Sequence, residues 1–378
     1  MEERIAGGEQ ILPIISEQKL SYGHLWGASV LLSETLKINL LSINKWLMPI
    51  LWSLVAPFLF FGIGYLIFDS RRKGLWLAWL TLLPFPLQAL GSLALPVSFD
   101  FLLFLFTFML WLQYWRDHYR SQKYLALLFS ILIIFGYSLY FILIWTAIIL
   151  SFISYFLAHI KFQISDFRFQ IAKKISYIIF VFSTIFIIPI IELIAKVSYV
   201  PQNINLWQNI KQAIGQSSGW FYASAIRSHD ILSGNLFFNH TPDYAYVANI
   251  FNNWRWWLIP AMIVLWILVG LGVFRMRDRR YEILGLLFST VFGGYLIGWF
   301  VLDGDRLLTR RLDMVLAMLM LILFISGISY LLSLITYKLK PIIYKIFTIL
   351  FIIVLSWFIT FTYASGPDLR VVSKDEFD

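Results

Sequence analysis

Cysteine is absent from the 378-residue chain, and charged residues make up only 13% of it. The absence of cysteine excludes disulfides, thiol nucleophiles and cysteine-ligated metals. The scarcity of charge, together with 60% apolar residues and a mean hydropathy of +0.77, excludes the class of soluble globular proteins. The sequence therefore predicts an all-α integral membrane protein.

Ten segments are apolar enough to be membrane spans, which need about 20 residues each. The two segments within 122–158 are short, and only "FGYSL" at 135–139 indicates a turn between them, so one long tilted helix is the alternative there. The predicted spans are 47–68, 74–93, 99–115, 122–137, 139–158, 175–198, 256–274, 281–302, 312–335 and 341–363.

The net charge of +9 is spread unevenly over the predicted loops. Ten spans place most basic residues on one side, in "DSRRKG", "RDHYRSQK", "KFQISDFRFQIAKK", "RMRDRR" and "YKLKP", and leave a small acidic excess on the other. The positive-inside rule makes the basic side cytoplasmic, so the charge reflects topology rather than nucleic-acid binding. We therefore expect a multi-pass protein of the plasma (inner) membrane with both termini extracytoplasmic.

This topology divides the chain into five parts. The start of the chain has no apolar core followed by a cleavage site, so it is not a signal peptide, and we expect a further span upstream of Met1 and an outer domain after the tail. The parts are two outer juxtamembrane helices (1–45), a first bundle of about six spans (46–198), a large extracytoplasmic loop (199–254), a second bundle of about four spans (255–363) and an extracytoplasmic tail (364–378).

Three arginines lie close together in "DGDRLLTRRLD", residues 303–313, which the topology places outside. Few arginines are expected on that side. Arg306, Arg310 and Arg311 can share a helix face beside a helix N-terminus, and a guanidinium can bind phosphate with two hydrogen bonds. The cluster is therefore either an anchor to lipid headgroups or a site for an anionic ligand.

The large outer loop is both polar and aromatic. Its rings, among them Trp220 and Tyr222, can stack on sugars or lie at the lipid surface. Its histidines and aspartates match no metal-ligand spacing. We expect no cofactor, and dependence on a divalent metal stays open.

This layout resembles that of the GT-C superfamily of polytopic glycosyltransferases, in particular the branch of protein O-mannosyltransferases and aminoarabinose transferases. The shared features are the juxtamembrane helices, the short spans, the large outer loop and the outward arginines before a late span. The resemblance implies that a sugar moves from polyprenyl phosphate to a glycan, lipid or protein acceptor at the outer leaflet, with inversion. The implied partners are the lipid-linked sugar, the acceptor and the bilayer, with no nucleic acid.

The resemblance also implies site residues. In the family an acidic pair, often Asp-Glu, opens the first outer loop, and its Asp is the catalytic base. The matching stretch here is "MEERIAGGEQIL", which makes Glu2 and Glu3 the candidates, although no Asp precedes Glu2. The alternative is that Glu2 and Glu3 are solvated acids at the start of a helix, where the helix dipole favours them. The arginines would bind the lipid phosphate, and the candidates for substrate contact are His24, Tyr22, Trp220 and Tyr222.

A transporter, a lipid flippase and a noncatalytic scaffold would each have a different sequence pattern. A transporter or lipid flippase would show repeated halves with broken helices and ionisable residues at mid-membrane, and this chain has no convincing repeat and almost no charge deep within its spans. A noncatalytic membrane scaffold would need neither the outward arginines nor the acids. The glycosyltransferase is therefore the favoured hypothesis, and a structural role for His24 stays open.

Overall fold

The described part of the chain is helical apart from one short pair of strands. The computed structural model describes residues 23–82, 84, 87, 96–159, 179–180, 182–194, 200–201, 263–275, 282–303, 312–336, 346, 349, 350 and 353. Its helices are α1 (Gly23–Leu36), α2 (Leu40–Phe68), α3 (Arg71–Leu80), α4 (Pro96–Asp117), α5 (Arg120–Leu132), α6 (Ser138–His159), α7 (Ile187–Ile194), α8 (Ile263–Arg275), α9 (Glu282–Val301) and α10 (Asp313–Thr336). The strands β1 (Val200–Pro201) and β2 (Leu302–Asp303) pair antiparallel.

Three of the described helices are long and apolar enough to cross a membrane. They are α2, α4 and the part of α10 from Met314 to Ser333. Three more apolar helical segments are shorter, namely Ser138–Ser154, Ile263–Arg275 and Ile283–Ile297. These helices agree with the prediction of an all-α membrane protein, and the number of ten spans stays a prediction.

The first long helix begins earlier than the hydropathy pattern predicted. α1 ends at Leu36, and Lys37 has a left-handed backbone conformation with φ of 56° that cannot continue the helix. Asn39 then caps α2, because its side-chain oxygen accepts the backbone N–H of Leu41 at 2.8 Å. Residues 40–46 therefore continue into the long helix that was expected to begin at residue 47.

α3 is shorter than the predicted span 74–93. It ends at Leu80, and a turn follows at Thr81. Pro84 and Pro86 come next in the sequence, and proline both lacks a backbone N–H and disfavours helical geometry in the residue before it. Hydropathy alone predicted one continuous helix because it does not register these backbone constraints.

Two glycines let α2 and α3 pack against each other backbone to backbone. A Cβ atom on Gly64 would lie 2.9 Å from the Cα atom of Gly74, and one on Gly74 would lie 2.9 Å from the carbonyl oxygen of Phe61. Neither position has room for a side chain. Such close approach increases van der Waals contact between helices, which is needed where lipid removes the hydrophobic driving force for their association.

Gly64→Ala is expected to lower the free energy of unfolding by about 1–3 kcal/mol, because the added methyl group must push α3 away. Equilibrium unfolding in mixed micelles, followed by circular dichroism, measures this loss. Gly285→Ala on α9 is the matched control, since that position is exposed and an added Cβ has no neighbour within 4 Å. Equal stability of the two variants would contradict the close crossing.

The segment 122–158 forms two helices rather than one. α5 ends at Leu132, a 3₁₀ turn covers Ile133–Phe135, and α6 begins at Ser138 after Gly136. The turn that "FGYSL" indicated is therefore confirmed, and the alternative of one long tilted helix is wrong.

The two basic turns are the junction of α2 with α3 (69–73) and the junction of α4 with α5 (116–123), and they lie at the same end of these helices. The guanidinium of Arg116 lies over the ring of Tyr65, 5.4 Å from its centroid. Tyr65 is in the last turn of α2, where its carbonyl oxygen accepts the backbone N–H of Asp69 at 2.9 Å. The charge count predicted that these two loops share a side, and the contact brings them together.

The helices α1–α6 belong to one compact unit, and α8 and α10 belong to a second unit. In the second unit, every residue from 314 to 325 of α10 is buried. A helix that faces lipid would keep an exposed apolar stripe, so this part of α10 is enclosed by protein on all sides. Arg275 at the end of α8 lies over the ring of Tyr330 at 5.9 Å.

Candidate functional site

Three segments of the first unit meet near the N-terminus of α4. They are the start of α1, the first two turns of α4 and the turn between α5 and α6. The start of α1 touches that turn, since a Cβ atom on Gly23 would lie 3.9 Å from the carbonyl oxygen of Phe135. Together these segments surround the side chain of Asp100.

Asp100 is buried and makes an ion pair or hydrogen bond with His24. Its side chain is 1% exposed, and its Oδ1 lies 3.0 Å from Nδ1 of His24, whose side chain is 26% exposed. A buried carboxylate is costly unless it accepts hydrogen bonds, so Nδ1 is the donating nitrogen of the imidazole. The other ring nitrogen, Nε2, is then the one that accepts a proton in the neutral ring.

The second oxygen of Asp100, Oδ2, is buried and has no hydrogen-bond partner among the residues that the structure describes. The carboxylate also lies directly against Gly136, where any Cβ atom would collide with it. Glycine at this turn therefore provides the space that the carboxylate occupies. The turn, α4 and α1 thus hold the pair from three directions.

A buried cluster of aromatic rings is built from residues that follow Asp100 in α4 and Gly136 in the turn before α6, together with Trp52 of α2. Tyr140 packs against Phe101 and Phe104, with ring centroids 5.6 and 5.3 Å away, and against Tyr137 at 5.1 Å. Trp52 of α2 stacks on Phe101 at 6.2 Å. Phe101, Phe104 and Tyr140 are fully buried. Because Asp100 is buried, its interaction with His24 is stronger than it would be in water.

The pair lies at the end of the helices opposite to the basic turns. Asp100 is the fifth residue of the 22-residue helix α4, so it is about 6 Å along the axis from the helix start. Arg116 is near the other end of α4, about 24 Å further along. The pair therefore lies close to one end of α4 and away from its middle.

Of the site residues that the sequence predicted, the described part of the chain contains His24. The structure gives this residue a partner, Asp100, that sequence reasoning had not named. The remaining predicted site residues lie outside the described residues: Glu2, Glu3, Tyr22, Trp220, Tyr222, Arg306, Arg310 and Arg311.

Asp100 was missed although the sequence carries a signal for it. It is the sole charged residue between 96 and 115, in "PVSFDFLLFLF". Ionisable residues inside membrane helices are rare and costly, and they commonly mark functional sites. The sequence around Asp100 does not identify His24 as its partner, because His24 lies 76 residues earlier, on a different helix.

The arrangement is suited to moving a proton. A partly exposed imidazole that is oriented by a buried carboxylate is the common arrangement of a base and its orienting group. Within the described ranges, no three histidine, aspartate or glutamate side chains lie together as metal ligands. His24 and Asp100 would supply two ligands, fewer than the three or four protein ligands of zinc sites.

No protein-family model matches this chain, and no curated protein or solved structure does so either, so its function is inferred from its own residues.

Proposed function

We propose that this chain is a membrane glycosyltransferase that moves a sugar from a polyprenyl-phosphate donor to a hydroxyl group on the extracytoplasmic face. The observation that carries the proposal is the His24–Asp100 pair near the end of the helices opposite to the basic turns. By the positive-inside rule the basic turns are cytoplasmic, so the pair belongs near the outer face. A lipid-linked donor presents its sugar at that depth.

The position of the pair also separates an enzyme from a carrier. A proton-coupled carrier binds its proton and its substrate near the bilayer midplane, between repeated halves of the protein. Asp100 lies only about 6 Å from the end of α4. That depth suits chemistry at the membrane surface better than transport across it.

The remaining roles follow the layout that the sequence predicted. Arg306, Arg310 and Arg311 bind the lipid phosphate and stabilise its charge as the sugar leaves, since guanidinium forks match phosphate oxygens. Glu2 and Glu3 are the candidates for the catalytic base that the resemblance to the GT-C superfamily implies. Ten spans, an inner-membrane location and outward termini complete the proposal.

The experiment reconstitutes the full chain in liposomes with radiolabelled polyprenyl-phosphate mannose, glucose and aminoarabinose. Cell-envelope extract supplies the acceptors. We expect label from one of these donors to enter a glycan, lipid or protein product, with release of polyprenyl phosphate. If none of the three donors gives a labelled product or releases polyprenyl phosphate, the proposed function is wrong.

Arg310→Ala is expected to lower the rate of transfer by about 10²-fold, because one donor to the departing phosphate is lost. Arg310→Lys keeps the charge but loses the two-pronged hydrogen bond, and it should fall between Arg310→Ala and wild type. Arg120→Ala, in the exposed basic turn 116–123, is the control and should leave transfer unchanged. Equal rates for Arg310→Ala and Arg120→Ala would contradict the phosphate site.

A further inference from the structure

We propose that Nε2 of His24 takes the proton of the acceptor hydroxyl during sugar transfer, and that Asp100 is the positioning residue that orients the imidazole. The inference rests on the proposed function and names the proton acceptor of that reaction. It assigns the role to a histidine of α1, whereas the resemblance to known transferases pointed to the acids Glu2 and Glu3.

Exposure decides which member of the pair meets the substrate. The side chain of His24 is 26% exposed, whereas that of Asp100 is 1% exposed. An acceptor hydroxyl can therefore reach the imidazole but not the carboxylate. Because Oδ1 of Asp100 lies 3.0 Å from Nδ1, the hydrogen bond occupies that nitrogen and leaves Nε2 with its lone pair for the hydroxyl.

The carboxylate also prepares the imidazole for the charge that it acquires. When the ring accepts a proton it becomes a cation, and the adjacent carboxylate of Asp100 stabilises that cation in apolar surroundings. The backbone at Gly136 lies directly against the carboxylate and keeps it in place. The pair therefore combines a reachable base with a fixed counter-charge.

The proposed step is balanced. The oxygen of the acceptor hydroxyl attacks the anomeric carbon and forms the new glycosidic bond, while its proton passes to Nε2. The bond between the anomeric carbon and the phosphate oxygen breaks, and its electron pair stays on the polyprenyl phosphate. The imidazolium then releases the proton to water at the outer face, which restores the neutral ring.

The test compares two substitutions at position 24 in the full chain, assayed in liposomes with the donor that the wild-type protein uses. His24→Asn places an amide nitrogen where Nδ1 lies, so it can keep the hydrogen bond to Asp100 while removing the base. We expect kcat to fall by about 10²-fold or more, the typical contribution of general base catalysis, with KM for the donor unchanged. His24→Ala should regain part of its kcat, normalised to folded protein, when imidazole is added to the buffer.

Other outcomes would overturn the inference. Wild-type kcat in His24→Asn would show that the hydrogen bond to Asp100 is the whole role of His24. A raised KM with unchanged kcat would make His24 a binding contact. A lost kcat that imidazole does not restore in His24→Ala would likewise exclude His24 as the proton acceptor.

A spectroscopic measurement tests the orientation independently of activity. The chain contains five histidines, so ¹⁵N-histidine labelling gives few signals, and the spectrum of His24→Asn identifies the one from His24. We expect the signal of the tautomer protonated on Nδ1, and the opposite tautomer would overturn the inference. A wild-type protein that transfers no sugar refutes the proposed function, whereas transfer that persists in His24→Asn refutes only the role of His24.

Discussion

Asp100→Asn is expected to lower kcat for sugar transfer by about 10²-fold or more, close to the loss in His24→Asn, because the acid that orients the catalytic histidine is replaced by its amide. The amide nitrogen can donate to Nδ1 of His24, which favours the tautomer with a proton on Nε2. The variant also lacks the negative charge that stabilises the imidazolium. Steady-state rates in liposomes measure the loss, and the ¹⁵N spectrum of His24 reports the change of tautomer.

The size and shape of the side chain hardly change in Asp100→Asn, so the fold should persist. Asp117→Asn is the matched control, because Asp117 lies at the other end of α4 and pairs with Arg116 at 2.8 Å. It should leave both kcat and the His24 spectrum unchanged. A wild-type kcat in Asp100→Asn would show that the carboxylate does not position His24.

His24→Ala is expected to lower the free energy of unfolding by about 1.5–3 kcal/mol, because it leaves the buried carboxylate of Asp100 without the hydrogen bond from Nδ1 of His24. Removing one member of a buried hydrogen-bonded pair costs more than replacing both, since the remaining polar group is left without its hydrogen bond. Equilibrium unfolding in mixed micelles measures this change directly.

A double-mutant cycle separates this effect from simple loss of packing. Adding Asp100→Asn to His24→Ala removes the charge as well as its partner, so the double variant should recover most of the lost stability. Asp100→Asn alone should remain close to wild type in stability. Strictly additive losses in the cycle would mean that the two side chains do not stabilise each other.

The sequence predicted the helical elements well where hydropathy alone decides them. The predicted span 99–115 falls within α4, and 281–302 and 312–335 each lie within a residue of α9 and α10. The ends were harder to predict where single backbone groups decide. Asn39 starts α2 with a side-chain hydrogen bond, and the prolines after Thr81 follow the end of α3; neither effect enters a hydropathy average.

The candidate site could be predicted only in part. His24 was chosen for its place beside a predicted juxtamembrane helix, and the structure places it in the first turn of α1. Asp100 stood out as a charge within an apolar stretch, yet nothing local connects it to His24. Such a pair depends on how α1 packs against α4, which a pattern along one helix does not contain.

The order of the helices along the chain has a consequence for biosynthesis. A carboxylate placed in a membrane helix opposes its insertion, by up to about 2.5–3.5 kcal/mol at the helix centre and less near the end. His24 precedes Asp100 by 76 residues, so the ribosome has made α1 before α4 enters the bilayer. The partner of the buried charge has then already been synthesised when that charge arrives, so the insertion of α4 does not have to wait for the later helices.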